Sequence, residues 1–267
     1  MTPYQIGSIL VPFDFSESSI SAWNGAAKLA KLSQAELILL HVTSSASEST
    51  ISSRERIESF VTDSGAELPK MRIIEEEGNP AEQILRVTAR EKPSLIVMGL
   101  HGESGVQPRK AGSTAVAVVR ECTCPVLFLP KDPGDDILFK RILFPVRPLA
   151  SAFVPYGLFH PIADEKARVE VLGLSQLKLA RMELVLERVS SQIRDRVRDK
   201  KIEVSTRWGH GNSITSDIET AVKLSEADLL VLSPALDGVP QPGKIGPFAE
   251  YLIHNSSTAL LCLATAL

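Results

Sequence analysis

Gly7-Ser-Ile-Leu-Val-Pro12-Phe-Asp14 returns 133 residues later as Lys140-Arg-Ile-Leu-Phe-Pro145-Val-Arg147. Glu77-Gly-Asn-Pro80 and His210-Gly-Asn-Ser213 stand at the same spacing. Leu95-Ile-Val-Met-Gly99 against Leu229-Leu-Val-Leu-Ser233 needs 134, so one residue is inserted into an otherwise parallel organisation. Self-similarity at a fixed offset marks a duplicated unit. Lys131-Asp-Pro-Gly-Asp-Asp136 is polar and carries a Pro-Gly break, so it reads as the junction. The expected domains are 1–135 and 136–267.

Working outward from the first repeat, Ser8 to Phe13, Glu36 to Val42, Leu95 to Met98 and Val126 to Leu129 are near-continuous apolar runs, with a weaker one over Met71 to Glu75. Continuous apolarity means that both faces of such a strand are covered. Between the first two runs, Ile20, Trp23, Ala27 and Ala30 fall on one stripe of a helix over Ser16 to Ser33. Asn79, Pro80 and Glu82 form a helix start, with Ile84, Leu85 and Thr88 following. Alternation of strand and helix predicts two tandem α/β domains, each a doubly wound parallel sheet with helices on both faces. Ligands of such sheets sit beyond the C-terminal ends of the strands, where the strand order reverses.

Composition sets the class. The chain has 267 residues, 44% hydrophobic and 23% charged, enough for a large core in each of two domains. A net charge of −3 gives no electrostatic case for nucleic acid or an anionic membrane. No stretch of about 18 apolar residues occurs, and the N-terminal segment lacks a secretory pattern, so the chain reads as cytosolic. Three cysteines, Cys122, Cys124 and Cys262, have the wrong number and spacing for a zinc site and are expected to be buried thiols.

One loop stands out. Residues 98–115, MGLHGESGVQPRKAGSTA, place Gly99, Gly102, Gly105 and Gly112 directly after an apolar strand, then Ser113 and Thr114 at the start of a helix. A helix N-terminus presents unpaired N–H groups and partial positive charge, and glycines let the backbone approach phosphate oxygens. Turns alone would also use glycine. Arg109 and Lys110 either reach a polyphosphate or form a solvated basic turn, and Asp14 either faces a ligand or starts a helix before Ser16.

The Gly99-x2-Gly102-x9-Gly112-Ser113 spacing after LIVMG, together with VPFDFSESS, LLHV, EGNP and CPVLFLP, resembles the universal stress protein family, as two tandem copies along nearly the whole chain. The resemblance implies a five-stranded sheet of order 3-2-1-4-5 in each copy. It implies ATP, with or without Mg²⁺, as the bound cofactor. Gly99, Gly102, Gly112, Ser113 and Thr114 would lie against phosphates and ribose. Asp14 and Val42 would lie against the adenosine, with Pro12, Met98 and His101 lining the same crevice. It also implies that the two copies pair through their last strands, Val126 to Leu129 and Ala259 to Leu263, as an intramolecular counterpart of a homodimer.

The second copy departs from the pattern. Arg147 stands for Asp14, Ser233 for Gly99 and Leu236 for Gly102, and the following loop holds prolines, which have no N–H to offer. Gly238-x4-Gly243-Lys244 imitates a P-loop, but Ile245 stands where a hydroxyl would hold Mg²⁺. Ser175 to Lys200 reads as a charged helix with Leu177, Leu184, Val185, Val189 and Ile193 on its apolar stripe. The expected function is therefore an ATP-binding stress-response or regulatory protein with nucleotide in the first copy only, meeting regulatory protein partners and free to dimerise further. Two alternatives remain: a slow ATPase or autophosphorylating enzyme, for which Glu103 and Asp14 are the candidate Mg²⁺ carboxylates, and a nucleotide-free interaction scaffold. His101 and His41 have no sequence partner that would make either one catalytic.

Overall fold

A computed structural model describes residues 4–43, 53–65, 68–100, 113–131, 137–147, 158–175, 180–209, 213–233, 236 and 246–263. The first half runs β1 (Ser8–Pro12), α1 (Glu17–Ser33), β2 (Glu36–Thr43), α2 (Ser53–Asp63), β3 (Lys70–Glu77), α3 (Pro80–Glu91), β4 (Leu95–Gly99), α4 (Ser113–Glu121) and β5 (Val126–Leu129). The second half runs β6 (Phe139–Val146), β7 (Ala163–Gly173), α5 (Ala180–Arg196), β8 (Glu203–Trp208), α6 (Ile214–Ser225), β9 (Leu229–Leu232), α7 (Pro247–Asn255) and β10 (Ala259–Cys262).

All ten strands lie in one sheet of order β3-β2-β1-β4-β5-β10-β9-β6-β7-β8. Each half is parallel throughout and keeps the expected 3-2-1-4-5 order. The halves join by antiparallel pairing of β5 with β10, with Leu127 opposite Leu261 and Phe128 opposite Leu260. This seam removes two sheet edges that would otherwise expose unpaired backbone groups. Leu127 and Leu261 are fully buried, and burial of such a side chain contributes about 1.5–3 kcal/mol. The core crosses the seam on both faces: Leu127, Leu129, Leu261 and Leu263 belong to one buried cluster, and Val126, Phe128, Leu260 and Cys262 to the other.

Local sequence accounts for the helix boundaries. Ser16 accepts the Ser19 amide and starts α1, while Asn79 accepts the amides of Ala81 and Glu82 and starts α3 with Pro80 in its first turn. Trp23 and Ala30 on α1 are fully buried, as their spacing predicts. In the second half Ser213, rather than Asn212, caps α6 by accepting the Ser216 amide. Asn79 and Ser213 are 134 residues apart, as are the left-handed C-caps Lys92 and Glu226. The inserted residue therefore lies between β8 and α6.

Two features differ from the repeat. The β6–β7 connection holds Pro148, Pro155 and Pro161, and its described part is a 3-10 turn, His160–Ile162, where the first half has a seventeen-residue helix. On α5 the buried stripe is Met182, Leu186, Val189 and Ile193, while Leu184 is 72% exposed. Leu184 is two residues from Leu186, about 200° around the helix, and so faces solvent. Leu177 lies outside the described residues.

Candidate functional site

The strand order reverses between β1 and β4, because β1 leads outward to β2 on one side while β4 pairs on the other. A crevice of about 320 Å³ opens beyond the C-terminal ends of these two strands. Pro12, Asp14, Val42, Met98, Gly99, Ser113 and Thr114 all line it. His101, Gly102 and Gly112, with Glu103, Arg109 and Lys110, lie outside the described residues.

One wall is apolar. Leu40 and Val42, two apart on β2, point to the same side of the strand and meet Pro80 and Ile84 from the start of α3 and Met98 from β4. The opposite wall is polar: Asp14 and Ser16, Ser18 and Ser19 at the start of α1 face Ser113 and Thr114 at the start of α4. The first-turn amides of α4 have no acceptor within their own helix and carry the positive end of its dipole. A flat, largely apolar group fits the first wall, and an anionic group fits the α4 end of the second.

Asp14 is built into the entry of α1. Its Oδ1 accepts the Ser16 hydroxyl at 2.6 Å and the Ser16 amide at 3.0 Å, so it shapes the turn while Ser16 itself caps the helix. Partial burial pushes the carboxyl up, and the hydrogen bonds from Ser16 and Ser19 outweigh it, holding the group below its ordinary value and ionised. Phe15, between them, sits at φ 65°, a left-handed conformation uncommon for a bulky residue. Its ring lies 4.9 Å from Phe13 and 5.4 Å from His41, with the Arg56 guanidinium 4.3 Å above it. These contacts aim Phe15 away from the crevice and turn Asp14 towards it. The His41 ring meets the Phe13 carbonyl oxygen at 2.7 Å through Nδ1, so it braces the β1 end and takes no place in the crevice lining.

Gly99 has a reason the loop spacing does not show. A Cβ there would stand 2.5 Å from both Cβ and the carbonyl oxygen of Ser18. The missing side chain lets the first turn of α1 lie directly on the end of β4, which brings the serine wall to the crevice. The sequence did not assign the serines of this wall, Leu40, Pro80 or Ile84 to the crevice. SESS reads as a helix start, and Pro80 as its counterpart in α3, so capping explained them before their position could. Leu40 was legible in principle, being two residues from Val42.

At the corresponding end of the second half a leucine is packed inward. Leu236 is 1% exposed, donates its amide to the Ser233 carbonyl oxygen at 3.0 Å, and belongs to the same buried cluster as Leu174 and Leu232. The helix that answers α4 begins with Pro247, whose nitrogen carries no hydrogen. Arg147 occupies the position of Asp14.

Comparison with known proteins agrees with this architecture. Residues 6–130 match the universal stress protein family model. Universal stress protein YxiE of Bacillus subtilis is 33% identical over 143 residues, which is 97% of that protein and 45% of this chain. The chain belongs to the universal stress protein family. A universal stress protein of Methanocaldococcus jannaschii is 30% identical over 138 residues, 81% of its length and 46% of this chain. The fold of a universal stress protein from Archaeoglobus fulgidus aligns over 98% of this chain and 99% of its own, with a TM-score of 0.68 at 17% identity. Two family-like halves in one chain thus account for a molecule about twice as long as the single-unit relatives. No helix among the described residues is long and apolar enough to cross a membrane.

Proposed function

We propose that this universal stress protein is a regulatory module that binds one adenine nucleotide, ATP, in its first half, with the second half as an intramolecular pairing partner. On this reading the units are residues 1–135 and 136–267. The observation that carries it is the meeting of Asp14 and Val42 with Ser113 and Thr114 across a single crevice at the strand-order reversal. The donor set suits the nucleotide. The apolar wall of Val42, Ile84 and Met98 suits an adenine face, the ionised Asp14 accepts from ribose hydroxyls or the adenine amine, and the α4 amides and hydroxyls meet phosphate oxygens. Gly102 and Gly112, outside the described residues, are assigned to the phosphates by the family resemblance alone. Buried Leu236, and Pro247 with no N–H at the start of α7, speak against an equivalent site in the second half.

The test is to denature the purified chain, identify any released small molecule, and titrate the stripped protein with ATP, ADP and AMP by calorimetry. The reading expects one adenine nucleotide per chain and loss of binding in Gly102→Leu, which copies the second half. No heat with any of the three, or equal affinity in the variant, overturns it. Phosphate release with Mg²⁺ at the buffer rate is expected; release above it that falls in Glu103→Gln would show hydrolysis in addition.

A further inference from the structure

Cys122 and Cys124 lie at the opposite end of α4 from the crevice, in the short turn that leads into β5. Their sulfurs are 3.6 Å apart. The Cys124 amide donates to the Cys122 sulfur at 3.4 Å, and the Cys122 thiol donates to the Cys124 carbonyl oxygen at 3.2 Å. Cys122 is buried and Cys124 is half-buried. No nucleotide contact needs either residue, and neither belongs to the crevice lining.

We propose that Cys122 and Cys124 form a redox-active pair that a hydroperoxide converts to an intrachain disulfide and a dithiol restores. The distance is the first reason. A disulfide needs about 2.05 Å between sulfurs, and closing the gap takes a small rotation at each Cβ. The turn that holds them permits this, because residues 122–125 lie outside helix and strand. The second reason is the asymmetry of the pair. The contact with the Cys124 thiol lowers the pKa of Cys122 against the opposing effect of burial, and the same contact raises that of Cys124. Cys122 is therefore the more readily ionised of the two and Cys124 the one that holds its proton more tightly, the order of an attacking and a resolving thiol.

The chemistry balances with hydrogen peroxide as the oxidant. The Cys122 thiolate attacks one peroxide oxygen, the O–O bond breaks, and the departing hydroxide takes a proton to become water, leaving a sulfenic acid on Cys122. The Cys124 sulfur then attacks the Cys122 sulfur. An S–S bond forms, the S–O bond breaks, and the hydroxyl leaves as water with the Cys124 proton. Two thiols are oxidised by two electrons and one peroxide is reduced to two waters. A disulfide closed across one intervening residue forms a small, strained ring, which places it among the readily reduced ones. Cys262 supplies an internal control: it is buried, and burial alone pushes its thiol up to about 12.

The experiment treats the reduced full chain with a small excess of hydrogen peroxide, blocks remaining thiols with iodoacetamide and maps the peptides by mass. The expected result is a peptide spanning Cys122 and Cys124 that has lost two hydrogens and takes no label, with Cys262 labelled, and full return of both thiols on treatment with dithiothreitol. In Cys124→Ser, dimedone should trap a sulfenic acid at residue 122. In Cys262→Ser, the disulfide should form as in the unaltered chain. Double labelling of the peptide after peroxide, a disulfide between chains, or direct conversion to sulfinic acid overturns the proposal. The mapping needs no variant, so a poorly folding substitution does not decide it.

Discussion

The first half spends seventeen residues on α1 between its first two strands; the second half covers the same topological step with a proline-bearing segment ending in a 3-10 turn. Both halves nevertheless keep strand order 3-2-1-4-5 and meet at one seam. Only sixteen residues separate β6 from β7, so the sheet and its pairing do not require a helix of that length. The crevice does require α1, because the start of α1 supplies its polar wall and turns Asp14 inward. The same contrast appears at the fourth strand, where Gly99 admits the Ser18 backbone and its counterpart Ser233 carries a side chain. The sheet and the crevice thus draw on separate parts of the repeat, and the second half retains the part that builds the sheet.

Four experiments break or sharpen this contrast. The largest effect belongs to what the halves share. Leu127→Ala at the seam should lower stability by about 2–5 kcal/mol in urea unfolding, and a loss below about 1 kcal/mol would mean that the seam contributes little. Next comes what separates them. Gly99→Ser, copying the second half, should cost about 1–3 kcal/mol because the Cβ meets the Ser18 backbone, whereas Ser233→Ala should cost about 1 kcal/mol. Equal losses would contradict the packing reason given for Gly99. Asp14→Arg, also copying the second half, should weaken ATP binding at least tenfold, about 1.4 kcal/mol, without unfolding the chain by circular dichroism.

The smallest effect is in pH. The folded Asp14 carboxyl lies below its ordinary value, so it contributes stability above the unfolded acid's range near 4, and that contribution fades as pH falls through the lower folded value. The stability gap between the unaltered chain and Asp14→Asn should be constant from pH 7 down to about 5 and shrink below about 4. A gap that widens on acidification would show that the carboxyl is not the group held by Ser16.

The repeat offsets and apolar runs made the strands and the two halves legible, because continuous apolar segments and duplicated motifs are local signals, while the strand order and the seam followed from the family resemblance. Asn79 was readable as a cap for the same reason. Seven residues named for the crevice do line it. Three things were not legible. On α5 the apolar stripe was legible at Val185, Val189 and Ile193 but not at Leu184, since charged and apolar residues alternate there closely enough to fit two phases of the helix. The role of Gly99 depends on Ser18, eighty-one residues away, and no spacing rule reaches that contact. The closeness of the Cys122 and Cys124 sulfurs depends on how the chain turns out of α4, which composition does not encode.

The account rests on a nucleotide held by the first half alone. Crystals of the full chain soaked in excess ATP test this most directly. The account predicts density for one nucleotide between Asp14 and the Ser113–Thr114 end of α4, with Leu236 still packed in the second half. An empty first crevice at saturating ATP, or density beside Arg147 and Ser233 instead, would contradict it.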